Sequence, residues 1–238
     1  MDKLFIPANN PEGRKSLVVI FDVGGTLSET PDLFTTIADN LTNKQSDDKV
    51  RDLAFKVFIK LYQNSVESNH FQSIEDIIAT TLDILAKDYG FPDISNRARD
   101  IYYGIFLHNS SLFPEISNLL DTLYRNGVSM VIASDADIQL TKEFIVKHKL
   151  DKYFVDICTS DLVEAFKPND KFVRYLTKYT SNNEENSYFV GDNKVDIESG
   201  KKLGIKSVLI DRRNTGDKMD ADYIIHDLSE LLPILSIK

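Results

Sequence analysis

Apolar runs and helical periodicities alternate along this 238-residue chain. The first run, Leu17 and the four residues after it, contains no polar side chain and leads into Asp22 and a glycine pair. Such a run before glycines is typical of a buried parallel strand that ends in a tight turn. We predict this strand over residues 17–23. Residues 1–15 carry prolines, asparagines and a glycine, and they are expected to be irregular.

Residues 28–109 have no convincing strand pattern and show helical periodicity instead. Apolar residues recur there every three or four positions, as on the buried face of a helix. The stripes are Leu33, Ile37 and Leu41; Val50, Ala54 and Phe58; Ile74, Ile77, Ile78, Leu82 and Leu85; and Ile101, Ile105 and Phe106. The pattern predicts a small helical bundle.

From Pro114 onward the pattern changes to alternating strands and helices. Strands are predicted over residues 128–133, 154–159, 188–190, 207–210 and 223–225, and helices over 115–126, 138–149, 170–179, 196–203 and 228–235. This alternation favours a three-layer, Rossmann-like α/β core with a parallel sheet. The first strand needs the later strands as partners, so the helical bundle is an insertion. We expect a core of residues 1–29 and 110–238, an α-helical cap of residues 30–109, and linkers near 28–31 and 110–114.

Composition narrows the class of protein. Apolar residues make up 42% of the chain, and 37 acidic residues against 28 lysines and arginines give a net charge of −9. An acidic surface disfavours nucleic-acid and anionic-membrane partners. The single cysteine, Cys158, lies in a strand-like run and is expected to be a buried thiol. Because we find neither a long apolar stretch nor a signal-peptide pattern, we expect a cytoplasmic protein.

Polar residues follow two of the predicted strands. Asp22 ends the first strand, and a carboxylate placed there can attack phosphorus. Gly24 and Gly25 would let the backbone approach a phosphoryl group closely. Ser134 ends the second core strand, where its hydroxyl can either donate to a phosphoryl oxygen or cap the next helix. Asp135 could equally serve as that cap.

Two later segments add charge to the same set. Lys167 stands before a proline and a predicted helix, where an ammonium group can pair with Asp22 and with a phosphoryl group. Asp192 and Asp196 lie four residues apart around the end of a strand. Carboxylates in this arrangement suit a hard divalent cation such as Mg²⁺.

These four segments, in this order, resemble those of the haloacid dehalogenase-like (HAD) superfamily. Residues 22–26 are similar to the family signature Asp-x-Asp-x-Thr, but Gly24 replaces the second Asp. The resemblance implies a helical cap that closes over the catalytic edge. It implies the following roles: Asp22, Lys167 and Ser134 catalytic; Gly24, Gly25, Ser134, Asp135 and Lys167 substrate-binding; and Asp22, the backbone carbonyl of Gly24, Asp192 and Asp196 around Mg²⁺.

The function that the resemblance implies is a Mg²⁺-dependent phosphatase acting on a small phosphorylated metabolite through an aspartyl-phosphate at Asp22. In family phosphatases the second Asp is the general acid and base, a contribution of about 10²–10⁴-fold that Gly24 cannot make. Either the leaving group is a good one, or Glu29, Asp135 or a cap residue takes this role.

Three alternatives remain open at this stage. A haloacid dehalogenase would need a cation near the start of the cap, where Arg51 is placed. A phosphonoacetaldehyde hydrolase-like enzyme would need a cap lysine, of which four are available: Lys44, Lys49, Lys56 and Lys60. A weakly active protein that binds a phosphorylated ligand is the third. The sequence leaves the substrate and the oligomeric state undefined.

Overall fold

A parallel sheet forms the centre of the molecule. The computed structural model describes residues 17–42, 47–67 and 70–237, so the segment predicted to be irregular and Lys44 lie outside the described residues. The strands are β1 (Val18–Phe21), β2 (Ser28–Glu29), β3 (Ser111–Leu112), β4 (Ser129–Ser134), β5 (Phe154–Thr159), β6 (Ser187–Gly191), β7 (Lys206–Ile210) and β8 (Tyr223–Ile225). Six of them form one sheet in the order β5-β4-β1-β6-β7-β8, and every neighbouring pair in it is parallel.

The register of this sheet brings three strand ends together. Phe21, the last residue of β1, lies beside Ile132 of β4 and Val190 of β6. The chain order reverses at β1, because β4 and β5 lie on one side and β6 to β8 on the other. Ligands of open α/β sheets bind at such a switch point, outside the carboxyl ends of the strands.

Helices cover both faces of the sheet. They are α1 (Leu33–Thr42), α2 (Asp48–Glu67), α3 (Ile74–Tyr89), α4 (Ala98–Tyr103), α5 (Ile116–Arg125), α6 (Ile138–Lys147), α7 (Ser160–Val163), α8 (Asp170–Thr180), α9 (Lys194–Lys202) and α10 (Leu231–Ile234). Alternate residues of β1 face opposite layers: Val18 and Ile20 join the apolar cluster that includes Phe172 of α8, whereas Val19 and Phe21 join the larger one. The expected three-layer α/β core with a parallel sheet is therefore present. Cys158 is buried, as expected.

Helices α1 to α4 occupy the stretch for which a bundle was predicted, and α4 continues as a π-helical turn over Gly104–His108. One expectation for this stretch was wrong. Ser28–Glu29 forms a strand that pairs antiparallel with Ser111–Leu112, so the two predicted linkers run side by side. Strands of two residues carry no alternation that a sequence pattern could reveal. The division into a core and a cap with the stated boundaries stays a prediction.

Two more details differ from expectation. The four-residue helix α7 was not predicted, because one helical turn is too short to show a periodicity. The predicted closing helix is a 3-10 turn, Leu228–Glu230, followed by α10. Among the described residues, no helix has the length and hydropathy that a membrane span requires.

The helical bundle contacts the rest of the chain close to the edge of the sheet. The Phe166 ring lies 4.6 Å from the ring of Tyr62 and 5.1 Å from that of Phe71, both measured between centroids. Asp137, at the start of α6, accepts a hydrogen bond from the backbone N–H of Glu75 at 3.4 Å. Glu75 belongs to the first turn of α3, so the Asp137 carboxylate at the start of α6 faces the N-terminus of α3.

Candidate active site

Asp22 lies directly after β1, with 7% of its surface exposed. Its backbone N–H donates to the carbonyl of Val190 at 3.0 Å, which fixes it to the neighbouring strand. Thr26 donates to its Oδ2 at 3.2 Å, and the Lys167 ammonium donates to its Oδ1 at 2.7 Å. The carboxylate is therefore held by the sheet, by the turn after β1 and by a buried cation.

Lys167 connects the acidic residues of the site. It comes from the segment between α7 and α8 and is only 3% exposed. Its Nζ donates to Asp22, to Asp196 Oδ1 at 2.6 Å and to the carbonyl of Ala133 at 3.3 Å. Burial alone would lower its pKa, but the nearby carboxylates outweigh burial and hold the pKa of Lys167 well above its usual value. The side chain is thus a fixed positive charge.

Asp196 is held by the start of α9. It accepts a hydrogen bond from the backbone N–H of Asn193 at 3.0 Å, so the two residues form a capping box. Gly191 is required at this point, because a Cβ there would lie 2.3 Å from the Asp196 carboxyl carbon. Both oxygens of Asp196 therefore already have protein partners.

Asp192 approaches the turn after β1 in a similar way. Gly25 has a φ of +75°, and a Cβ on it would lie 2.2 Å from Asp192 Oδ2. Asp192 also accepts a hydrogen bond from the side-chain amide of Asn193 at 2.9 Å. The glycine thus allows the carboxylate to lie against the backbone of the turn.

The acidic residues form a candidate cation site by donor type and distance. One carboxylate oxygen from each of Asp22, Asp192 and Asp196 lies within 4.8 Å of the other two. Burial and the charge of Asp22 raise the pKa of Asp192 to about 7. Burial raises the pKa of Asp196 to about 8 against the opposing effect of Lys167. The single ammonium group of Lys167 cannot neutralise the charge of three ionised carboxylates. A divalent cation would supply the missing positive charge, and oxygen ligands are those that Mg²⁺ prefers.

Ser134 and Asp135 complete the polar edge. Ser134, the last residue of β4, is 4% exposed, and its Oγ accepts the backbone N–H of Ala136 at 3.1 Å. Its hydroxyl proton can still be donated to a ligand. Asp135 accepts the backbone N–H of Lys167 at 2.9 Å, and burial raises the pKa of Asp135 to about 6.

Gly24 differs from Gly25 in that its backbone does not require glycine. It does not have a positive φ, and a Cβ on it would meet only Phe106 Cε1, at 3.8 Å. This is an ordinary van der Waals distance. The missing carboxylate is therefore a chemical difference from the family signature and not a consequence of the fold.

The predicted residues meet around one cavity of about 220 Å³, which suits a small molecule. Six of them line this cavity: Asp22, Gly24, Ser134, Asp135, Lys167 and Asp196. Gly25 and Asp192 line an adjoining groove, which shares Gly24 with the cavity and also contains the exposed Glu29. The structure thus brings the whole predicted set together, and the role of each residue stays a prediction.

Two residues of the site were not assigned a role from the sequence. Thr26 donates to Asp22, and the sequence signal for it is its match to the Thr of the family signature, four residues after that carboxylate. Phe106 lies over Gly24 and lines both the cavity and the groove. In the sequence it is one apolar residue of a helical stripe, which gives no indication of contact with the site.

The residues considered for the alternative chemistries lie elsewhere. Arg51 is exposed and pairs with Asp48 at 3.3 Å and with Asp52 at 3.1 Å. Lys49, Lys56 and Lys60 are exposed on α2. None of these four side chains lines the cavity. In this structure they therefore lie outside the cavity in which a halide-binding cation or a catalytic cap lysine would act.

Known proteins are similar to this chain in sequence. The family profile of the haloacid dehalogenase-like hydrolases matches residues 19–210. A phosphoglycolate phosphatase of Vibrio parahaemolyticus is 26% identical over 153 residues, which are 61% of this chain and 67% of the relative. The pyrophosphatase PpaX of Bacillus mycoides is 29% identical over 136 residues, which are 54% of this chain and 63% of the relative. The match thus spans about two thirds of these curated relatives.

Solved structures share the fold. The HAD-hydrolase YfnB of Bacillus subtilis, bound to magnesium, superposes with a TM-score of 0.73 at 18% identity, covering 94% of this chain and all of that one. An L-2-haloacid dehalogenase of Xanthobacter autotrophicus with covalently bound chloropropionic acid gives 0.68 at 16% identity, covering 93% and 99%. At these identities the likeness shows the fold alone. The profile match over most of the chain identifies the protein as a member of the haloacid dehalogenase-like hydrolases.

Proposed function

We propose that this hydrolase is a Mg²⁺-dependent phosphatase that acts on a small phosphorylated metabolite through an aspartyl-phosphate at Asp22. The observation that carries the proposal is the arrangement around that carboxylate. A buried ammonium lies 2.7 Å from Asp22, and two further carboxylates lie within 4.8 Å of it. Such a set combines a nucleophile, a fixed positive charge and a candidate cation site.

Each residue has a chemical task in this proposal. Asp22 attacks phosphorus, a new P–O bond forms, and the bond from phosphorus to the alcohol oxygen breaks. Water then attacks phosphorus of the aspartyl-phosphate and regenerates Asp22. Lys167 offsets charge on the phosphoryl oxygens, and the Ser134 hydroxyl donates to one of them. Backbone N–H groups of the turn at Gly24 and Gly25 can do the same.

The cation would be held by Asp22, the carbonyl of Gly24 and Asp192. It would supply positive charge to the phosphoryl group during transfer. Asp196 is better suited to positioning, because its oxygens already accept from Lys167 and Asn193. The raised pKa values of Asp192 and Asp196 support this reading, since ionised carboxylates in such a buried set need further positive charge.

Because Gly24 carries no acid, either the substrate has a leaving group that needs no proton, or another residue acts as the general acid. Among the described residues, Asp135 is the carboxylic acid that lines the cavity without a place in the ion cluster. Its raised pKa, about 6, is compatible with a proton-transfer role at neutral pH. A substrate with a good leaving group would need no such help.

The curated relatives support phosphoryl chemistry, since one is a phosphoglycolate phosphatase and the other a pyrophosphatase. The dehalogenase alternative receives less support. A dehalogenase has little use for the three clustered carboxylates, and Arg51 lies outside the cavity. A phosphonoacetaldehyde hydrolase-like enzyme, which breaks a carbon–phosphorus bond, would need a cap lysine in the cavity. The three candidate lysines that the structure describes, Lys49, Lys56 and Lys60, are exposed.

An activity screen with and without Mg²⁺ tests this proposal. The substrates are phosphomonoesters, acetyl phosphate, phosphonoacetaldehyde and 2-haloacids. We expect phosphate release that depends on Mg²⁺ and is lost in Asp22→Asn. Halide release without metal would contradict the proposal. Failure to turn over any of these compounds, in a protein that is folded, would favour a binding role.

A further inference from the structure

The cavity beside Asp22 has two chemically different ends. Its polar end is the edge of the sheet, with Asp22, Ser134, Asp135, Lys167 and Asp196. Its opposite walls come from α1, α2, α3, α6 and the π-helical turn after α4. The apolar side chains on these walls are Leu33, Phe58, Ile74, Phe106, Leu140 and Phe144. A phosphoryl group bound at Asp22 therefore directs the rest of its ester towards an apolar surface.

Charge in the cavity is unfavourable for a second anionic group. Lys167 is the one cation among the described residues that line it. Its ammonium already donates to Asp22, Asp196 and the carbonyl of Ala133. A carboxylate or second phosphate on the substrate would meet Asp135 and an apolar wall, without a positive charge to offset its desolvation.

Two hydroxyl groups near the apolar end each have one hydrogen-bond partner already. The Tyr102 hydroxyl accepts from the backbone N–H of Asp137 at 3.1 Å and keeps its proton. Thr141 Oγ1 donates to the carbonyl of Asp137 at 3.0 Å and keeps its acceptor capacity. An alcohol with many hydroxyl groups would need more partners than these two groups offer, and a buried hydroxyl without a partner is costly.

We infer that the substrate is a phosphomonoester of an uncharged, apolar alcohol, such as an aryl or alicyclic phosphate. This inference rests on the proposed phosphatase activity and adds the class of the leaving group. It separates the chain from its relatives, because phosphoglycolate and pyrophosphate both carry a second anionic group. An aryl alcohol also leaves readily without a proton donor, which fits the absence of an acid at Gly24.

A substrate whose alcohol is charged has one other place to bind that alcohol, the groove beside the cavity. The adjoining groove shares Gly24 and Phe106 with the cavity and contains the exposed Arg213. Its neighbour Arg212 is already occupied, because it pairs with Glu115 at 2.7 Å and lies 3.5 Å from the centre of the Phe113 ring. Binding in this groove would make Arg213 the recognition residue, so the test includes Arg213→Ala.

The test compares esters that differ in one property at a time, all in the presence of Mg²⁺. Cyclohexyl phosphate and phosphoglycolate both have alkyl leaving groups and differ in charge and apolar surface. We expect kcat/KM to be about 10–100-fold higher for cyclohexyl phosphate, the gain that burying a ring of this size gives. Phenyl phosphate should be faster still, since its alcohol is a better leaving group.

Binding gives a second readout that does not depend on turnover. We expect phenylphosphonate to raise the melting temperature more than phosphonoacetate does, at equal concentration. Leu33→Arg, which adds a cation to the cavity wall, should shift both preferences towards the anionic compounds. Leu162→Arg is the matched control, because Leu162 is 47% exposed and lies outside the cavity.

A second variant keeps the inference testable if Leu33→Arg does not fold. Phe106→Ala should lower kcat/KM for cyclohexyl phosphate more than for phosphoglycolate, whereas Phe55→Ala, at a ring that is 46% exposed and outside the cavity, should not. Faster hydrolysis of phosphoglycolate or pyrophosphate than of cyclohexyl phosphate would overturn the inference. If Arg213→Ala then lost the activity on the charged compound, the charged part of that substrate would be assigned to the groove. Hydrolysis of none of these esters would instead overturn the proposed phosphatase activity, and the inference with it.

Discussion

At the scale of residues, Gly24 and Gly25 show that glycine can occupy two neighbouring positions for different reasons. Gly25 is dictated by geometry, since its φ is +75° and the Asp192 carboxylate occupies the space of a Cβ. Gly24 has neither constraint, and Phe106 lies at contact distance from the place of its missing Cβ. The position can therefore accept a Cβ without a change in the backbone.

We expect Gly24→Asp to raise kcat/KM for an alkyl phosphate by roughly tenfold or more, because a positioned acid supplies about 10²–10⁴-fold. The effect on acetyl phosphate should be small, since that leaving group needs no proton. Steady-state phosphate release measures both. Gly24→Asn is the control of equal size without an acid, and an equal gain in both variants would contradict the explanation.

At the scale of elements, Asp137 at the start of α6 contacts the first turn of α3. Its carboxylate faces the N-terminus of α3, and one of its oxygens, Oδ1, is buried without a hydrogen-bond partner. Burial and the nearby charge of Asp161 raise the pKa of Asp137 to about 6. An acid whose pKa is raised by folding stabilises the fold at low pH, and this contribution is lost as the pH rises through that value.

We therefore expect Asp137→Asn to be more heat-stable than the wild type at pH 8, because asparagine keeps an acceptor for α3 without a buried charge. The gain should shrink as the pH is lowered from 8 to 4.5. Melting curves across this range, with the exposed Asp151→Asn as a control, test the expectation. A loss at pH 8 would show that the charge itself holds α3, and a gain that is independent of pH would show that ionisation of Asp137 is not its cause.

At the scale of the whole molecule, most of the sheet and its site could be predicted from the sequence. Strands β5 and β8 have the predicted bounds, and the other core strands differ by one or two residues at an end. Parallel strands that are buried on both faces give long apolar runs in the sequence. Because their carboxyl ends lie at the same edge of the sheet, the polar residues that follow these strands come together there. The contact of Asp196 with Lys167 was not predicted, since no sequence pattern shows which of the clustered carboxylates an ammonium group contacts besides Asp22. The contact of Phe106 with the turn was missed because an apolar residue in a helical stripe looks like any other core residue.

Mg²⁺ should stabilise the folded chain if the carboxylate cluster holds it. We expect saturation at about 100 times the dissociation constant to raise the melting temperature by about 5–10 °C. Asp192→Asn should abolish most of this rise, whereas Asp88→Asn, at an exposed position of α3, should keep it. An equal rise in Asp192→Asn and the wild type would mean that Mg²⁺ binds elsewhere.

The most direct measurement is the rate of phosphate release from phenyl phosphate, with Mg²⁺, by the wild type and by Asp22→Asn. We expect the wild type to release phosphate and the variant, with its melting temperature preserved, to be slower by roughly 10³-fold or more. A folded Asp22→Asn protein that keeps a rate within tenfold of the wild type would contradict the assignment of Asp22 as the nucleophile.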